Sequence, residues 1–204
     1  MQKFTKLIAA ACPLDIPNLN TDQLLPARFL KLPRSAGLGK FLLADLRCDS
    51  QGREQPDFPL NRSEWREARI IVGGRNFACG SSRESAVYAL MDYGIRCVIA
   101  PSFGDIFAGN AVQNGLLAAA AGEDDVGALI VTLNENPSLS VAVDLREQTI
   151  SYAARTFPLL IDPVRRMRLL NGWEDVDLTQ SYRDQIEAFK AVDRSRRSWV
   201  YPSV

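Results

Sequence analysis

The chain has 204 residues, 47% of them apolar and 24% charged, enough to bury the core of one ordinary globular domain. Its 24 basic and 24 acidic residues cancel, so no net field favours nucleic acid or an anionic lipid surface. There is no histidine, and Cys12, Cys48, Cys79 and Cys97 form no C-x-x-C pair, which argues against a zinc site or iron–sulfur cluster held within this chain. Residues 6–11 read as a short strand; the apolar run there is too short for a signal-peptide core or a membrane span, so a cytoplasmic location is expected. Residues 13–33 carry Pro13, Pro17, Pro26 and Pro33 and read as one long connection. A loop of that length inside a compact domain is usually functional. A short helix is predicted over 38–46 and a polar surface excursion over 47–62.

A strand at 69–72, a glycine loop, a helix at 82–93 and a buried strand at 95–100 then make a right-handed parallel βαβ unit. Val87, Leu90 and Met91 mark the helix's inner face, and Gly94 its stop. A helical segment follows at 102–113, with a turn at Asn114-Gly115. Residues 123–134 read as a helix with Val126, Leu129, Ile130 and Leu133 on one side and acids in its first turn. Alternation at 139–145 and again at Ile150, Tyr152 and Ala154 predicts a hairpin turning at 146–149. Asp162-Pro163 starts a helix that Gly172 stops, and 179–192 is a last helix with Tyr182, Ile186 and Phe189 on one face. The expected organisation is a single domain over 1–193, with a flexible basic tail at 194–204. One βαβ unit beside antiparallel hairpins favours a layered α/β domain with a mixed sheet.

The segment Gly73-Gly74-Arg75-Asn76-Phe77-Ala78-Cys79-Gly80-Ser81-Ser82-Arg83-Glu84 concentrates the chemistry. Its glycines allow sharp turns and close approach to a ligand, and hydroxyls with a guanidinium at a helix start suit a small anion. Ser81-Ser82-Arg83-Glu84 also fits the capping box S-x-x-E, a purely structural reading compatible with the first. The loop is neither a P-loop nor G-x-G-x-x-G, so it offers little support for nucleotide binding. Asp22, in Asn20-Thr21-Asp22-Gln23, is either an Asx-turn residue or part of a site. Cys12 and Cys97 read as core thiols, whereas Cys79 either packs within the loop or faces a ligand.

Five blocks in order resemble one family. They are Pro13-Leu14-Asp15; Asn20-Thr21-Asp22-Gln23-Leu24-Leu25-Pro26-Ala27-Arg28-Phe29-Leu30; the segment from Asn76 to Glu84; Ala100-Pro101-Ser102-Phe103-Gly104-Asp105-Ile106-Phe107; and Asn114-Gly115-Leu116-Leu117. Together they are similar to the small subunit of 3-isopropylmalate dehydratase, in the aconitase superfamily. The resemblance implies a three-layer β/β/α swivelling domain that docks on a large subunit holding a [4Fe–4S] cluster, with no cofactor in this chain. It implies dehydration and rehydration of a small dicarboxylic hydroxy acid in leucine biosynthesis. By the same resemblance Ser81 is the base, Ser82 and Arg83 bind substrate carboxylate, Asp22 supports the site, and Arg28 is a further cation. Residues 35–42 fall where that family discriminates substrates, with Leu38 and Leu42 facing an isopropyl group or packing in the core. Three positions depart from the pattern: Ser85 stands for a usual histidine, Ala78 for a glycine and Gly104 for an alanine. A related hydratase acting on citraconate, methylmalate or dimethylmalate is the nearest alternative, and a non-catalytic anion-binding module the alternative of another class.

Overall fold

The structure is a computed structural model that describes residues 1–81 and 83–201. One seven-stranded sheet organises it, in the order β4-β3-β2-β1-β5-β6-β7. Strand β1 (Lys6–Leu14) lies at the centre. Its C-terminal part pairs in parallel with β2 (Ile70–Gly73), and its N-terminal part antiparallel with β5 (Ser140–Asp144). Strands β2, β3 (Cys97–Ala100) and β4 (Leu117–Ala120) run parallel, since α3 (Glu84–Tyr93) and α4 (Asp105–Asn114) supply the long crossovers such pairing needs. Strands β5, β6 (Thr149–Tyr152) and β7 (Arg155–Pro158) form an antiparallel meander on tight turns. The sheet curls until its two ends meet: Ala120 and Leu160 exchange backbone hydrogen bonds of 3.2 and 2.7 Å.

Alternation along the strands divides the interior in two. Cys12, Leu14, Ile71, Val98 and Ala100 join a core with Val87 and Leu90 of α3. Ala11, Ile70, Val72, Cys97 and Ile99 face the other way, onto Val126, Leu129 and Leu133 of α5 (Glu123–Glu135), the meander, and Leu169 of α6 (Pro163–Asn171). The parallel and antiparallel halves of one curled sheet thus supply the β layers of the mixed α/β domain, and the helices cover them. Asp162 caps α6 by accepting from the amides of Val164 and Arg165, and Gly172 ends it at φ 71°, as the sequence predicts. No helix among the described residues is long and apolar enough to cross a membrane.

Six stretches differ from the sequence reading. Strand β1 continues past residue 11 through Pro13, which pairs with Val72 on one side only, because β5 stops opposite Ala10. The connection after it contains the one-turn helix α1 (Thr21–Leu24). Residues 38–46 are a 3₁₀ turn (Leu38–Phe41) and the short α2 (Ala44–Arg47), parted by fully buried Leu42 and by Leu43 at φ 53°. Burying both leucines requires leaving the helical path. Strand β4, sequence Leu-Ala-Ala-Ala, has no β-branched residue to announce it and forms because β3 offers an edge. Ala153, at φ 46°, turns the chain between β6 and β7 where a single strand was expected. The last helix divides at Tyr182 into α7 (Asp175–Ser181) and α8 (Arg183–Arg196). Its expected inner face is not buried: Tyr182 is 46% and Phe189 63% exposed.

Candidate active site

Strands β1, β2 and β3 all end at one edge of the sheet, where α/β folds present their ligand-binding loops. Backbone hydrogen bonds lace the three loops together. Phe77 N donates to Ser102 O (2.9 Å), and Gly104 N to Phe77 O (3.0 Å). Asn18 N donates to Arg75 O (2.9 Å), Cys79 N to Leu19 O (3.2 Å) and Thr21 N to Cys79 O (3.0 Å). The side chains add to this: Asn76 Nδ2 donates to Asn18 Oδ1 and Asn76 N to Ser102 Oγ, at 2.9 and 2.8 Å.

Close approach explains the glycines. A Cβ at Gly74 would stand 2.8 Å from both Ile16 C and Pro17 N, and one at Gly104 would stand 2.6 Å from Ala78 O. Asn76 and Ala78 both sit at φ 55°, in the left-handed region. Strained backbone of this kind gathers at ligand sites when surrounding contacts hold it. The glycine that the resemblance places at 78 would sit there without that cost.

Gly80, at φ 97°, turns the chain so that Ser81 is exposed. The Ser81 carbonyl accepts a hydrogen bond from Thr21 Oγ1 at 2.9 Å. Arg83 follows in extended conformation as the N-cap of α3, and its guanidinium forms an ion pair with Asp22. Ser82 lies outside the described residues. The structure therefore brings Ser81, Arg83 and Asp22 from two loops to one open edge.

The capping box expected at 81–84 does not form. Helix α3 begins only at Glu84 and has no side-chain cap, because the Thr21 bond and the Gly80 turn keep Ser81 off the helical path. A capping box does occur on α1, where Asn20 Oδ1 accepts from Gln23 N and Gln23 Oε1 accepts from Asn20 N, both at 2.9 Å. Asp22 is the second residue of this braced turn.

Arg28 is placed differently. It forms a two-pronged pair with Asp45 of α2, one prong 2.9 Å from Nη1 to Oδ2, and stacks 4.5 Å over Phe29. The pair raises the Arg28 pKa and holds the Asp45 carboxyl below its ordinary range. With Phe41 and Lys40 these groups line a cavity of about 660 Å³ that none of Ser81, Arg83 and Asp22 lines. Leu38 and Leu42 are buried. Their segment is clamped on α3: Leu38 N donates to Asp92 Oδ2 at 3.1 Å, and Gly39 leaves no room for a Cβ beside the backbone of Asp92 and Tyr93.

The cysteines do not fit a metal cluster. Burial pushes the Cys12 and Cys97 thiols far up, away from the thiolate form a metal requires. Cys79 Sγ–H donates to Asn18 O at 3.3 Å, across to the loop that follows β1. Among the described residues no group of three or more histidine, cysteine or acidic side chains is placed to hold a metal. Sequence reasoning missed Thr21, whose buried hydroxyl ties the two loops together. Its only signal was a place in the Asn-Thr-Asp cluster.

The family model of the aconitase C-terminal domain matches residues 1–122. A 3-isopropylmalate dehydratase small subunit from Rhodospirillum centenum is 46% identical over 201 residues, spanning 98% of this chain and 99% of that protein. The chain belongs to the 3-isopropylmalate dehydratase small-subunit family. A small subunit from Brucella suis is 42% identical over 98% of this chain and 100% of its own length. Among solved structures, a 3-isopropylmalate dehydratase from Methanocaldococcus jannaschii superposes with a TM-score of 0.65 at 26% identity, covering 91% of this chain and 99% of its own. Members of this family are hydro-lyase subunits.

Proposed function

We propose that this chain is the small subunit of a 3-isopropylmalate dehydratase that interconverts 2- and 3-isopropylmalate in leucine biosynthesis, working in the cytoplasm with a separate large subunit. The observation that carries this reading is the pairing of Arg83 with Asp22 beside exposed Ser81, on loops joined by Thr21. The reaction removes a proton and a hydroxide from neighbouring carbons, then returns both in exchanged positions, so water is lost and regained. Ser81, as alkoxide, would take the carbon-bound proton and later give it back. A serine does this only where nearby donors stabilise its anion, and Arg83 at the start of α3 supplies positive charge there. Arg83 would grip a substrate carboxylate through its fork of N–H donors, and Ser82 would add a hydrogen bond. Asp22 keeps the guanidinium aimed. Arg28 has the weaker place, since it would reach a second carboxylate only by leaving Asp45.

By the same resemblance the large subunit carries a [4Fe–4S] cluster, which when bound supplies Lewis acidity at the hydroxyl. Anaerobic reconstitution with that subunit tests the proposal. Wild type should isomerise 2-isopropylmalate, and Ser81→Ala should abolish turnover while substrate binding changes little. Full activity of Ser81→Ala would sink its role as base. Turnover of citraconate with none of isopropylmalate would move the assignment to a related hydratase.

A further inference from the structure

We infer that Thr21 is a positioning residue that sets where Ser81 stands; this rests on the reading of Ser81 as the base. Thr21 is one of four buried polar or charged residues among the described residues, at 2% exposure. Its hydroxyl donates to the Ser81 carbonyl at 2.9 Å, sixty positions along the chain. Leaving a buried hydroxyl without a partner is costly, and this bond fixes the Ser81 carbonyl. The Thr21 amide also donates to Cys79 O, so one residue grips the loop on both sides of Gly80. Gly80 has the freedom of its φ of 97°, and its Cβ position lies 3.8 Å from Thr21 Oγ1. Without the hydroxyl, Ser81 would hang from a hinge.

The next residue, Asp22, pairs with Arg83. The capped turn of α1 therefore holds the base through Thr21 and the carboxylate clamp through Asp22, and fixes the spacing between them. Small misplacement of a reacting group costs up to about 100-fold in rate.

The test uses Thr21→Val, which keeps the shape and removes the hydroxyl, and Thr21→Ser, which keeps the hydroxyl. In the reconstituted complex, Thr21→Val should lower kcat about 10- to 100-fold with KM within about threefold, since Arg83 stays held by Asp22. Thr21→Ser should recover most of kcat. In the isolated chain, hydrogen exchange of residues 79–83 should quicken in Thr21→Val and not in Thr21→Ser. Wild-type kcat and wild-type exchange in Thr21→Val would overturn the inference. So would equal loss in both variants, since Thr21→Ser keeps the hydroxyl and its bond to Ser81 would then not account for the loss. If the wild-type complex turns over no hydroxy acid, the functional reading fails, and the exchange measurement alone decides whether Thr21 orders the Ser81 loop.

Discussion

Replacing Gly104 by alanine should destabilise the chain, and replacing Ala78 by glycine in the same molecule should largely repair it. A Cβ at 104 would stand 2.6 Å from Ala78 O and 3.1 Å from Cys79 Cα, both backbone atoms that cannot rotate aside. Gly104 itself has φ −62°, which alanine adopts freely, so the whole cost lies in this contact. Overpacking of this kind costs about 1–3 kcal/mol. For a domain of this size that lowers the unfolding midpoint by roughly 2–12 °C. Ala78 at φ 55° already carries a left-handed cost of about 1–2 kcal/mol, partly offset in a glycine variant by about 0.5–1 kcal/mol of extra chain entropy. Ala78→Gly alone should thus be neutral or mildly stabilising. In the double variant the freed peptide can swing its carbonyl away from the new methyl, so the two changes should couple by about 1 kcal/mol or more. Thermal unfolding of the four proteins, followed by far-ultraviolet circular dichroism, closes the cycle. Additivity within about 0.5 kcal/mol, or a wild-type midpoint for Gly104→Ala, would refute the reasoning. The double variant carries the residues that the family resemblance places at 78 and 104, so non-additivity would mark Ala78 and Gly104 as a compensated pair.

Arg83→Lys keeps the charge and loses the fork, so KM for isopropylmalate should rise about 10- to 100-fold in steady-state assays of the complex, as expected for losing a charge-assisted hydrogen bond. Folding stability should be flat between about pH 5 and 8, because the chain has no histidine to titrate there. It should fall as pH drops below about 4, since the folded state holds Asp144, Asp49 and Asp45 below their ordinary values, chiefly through the Glu147 amide, the Arg53 amide and the Arg28 guanidinium. Carboxyls lowered in this way stabilise above their unfolded pKa and lose that contribution on acidification; urea midpoints across the range check the sign. Deleting residues 183–204 should move the unfolding midpoint by no more than a few degrees. Helix α8 packs mainly on the turn that follows it, and Phe189 and Val192 on it are more than half exposed.

Much of the fold was legible where one periodicity ruled. The inner face of α5, the Asp162 and Gly172 caps of α6 and the βαβ unit all follow from local spacing and end chemistry. The misreadings fall where a distant partner overrode the local pattern. Strand β4 needed β3, the break at Leu43 needed the core, and Ser81 was kept out of a capping box by Thr21.

The site divides in the same way. Residue types and order alone identified Ser81, Arg83 and Asp22 as candidates and set them in a family, because the glycine loop and its neighbours are short-range motifs. Their meeting was a tertiary outcome: α1 comes back onto the Gly80 loop through Thr21, and Asp22 reaches Arg83 across it. Tertiary structure also tied Arg28 to Asp45 and buried Leu38 and Leu42 against α3. A sequence states which groups a chain carries. Which carboxylate each cation meets depends on how the loops cross at the sheet edge, and that crossing is made by contacts between residues far apart in the chain.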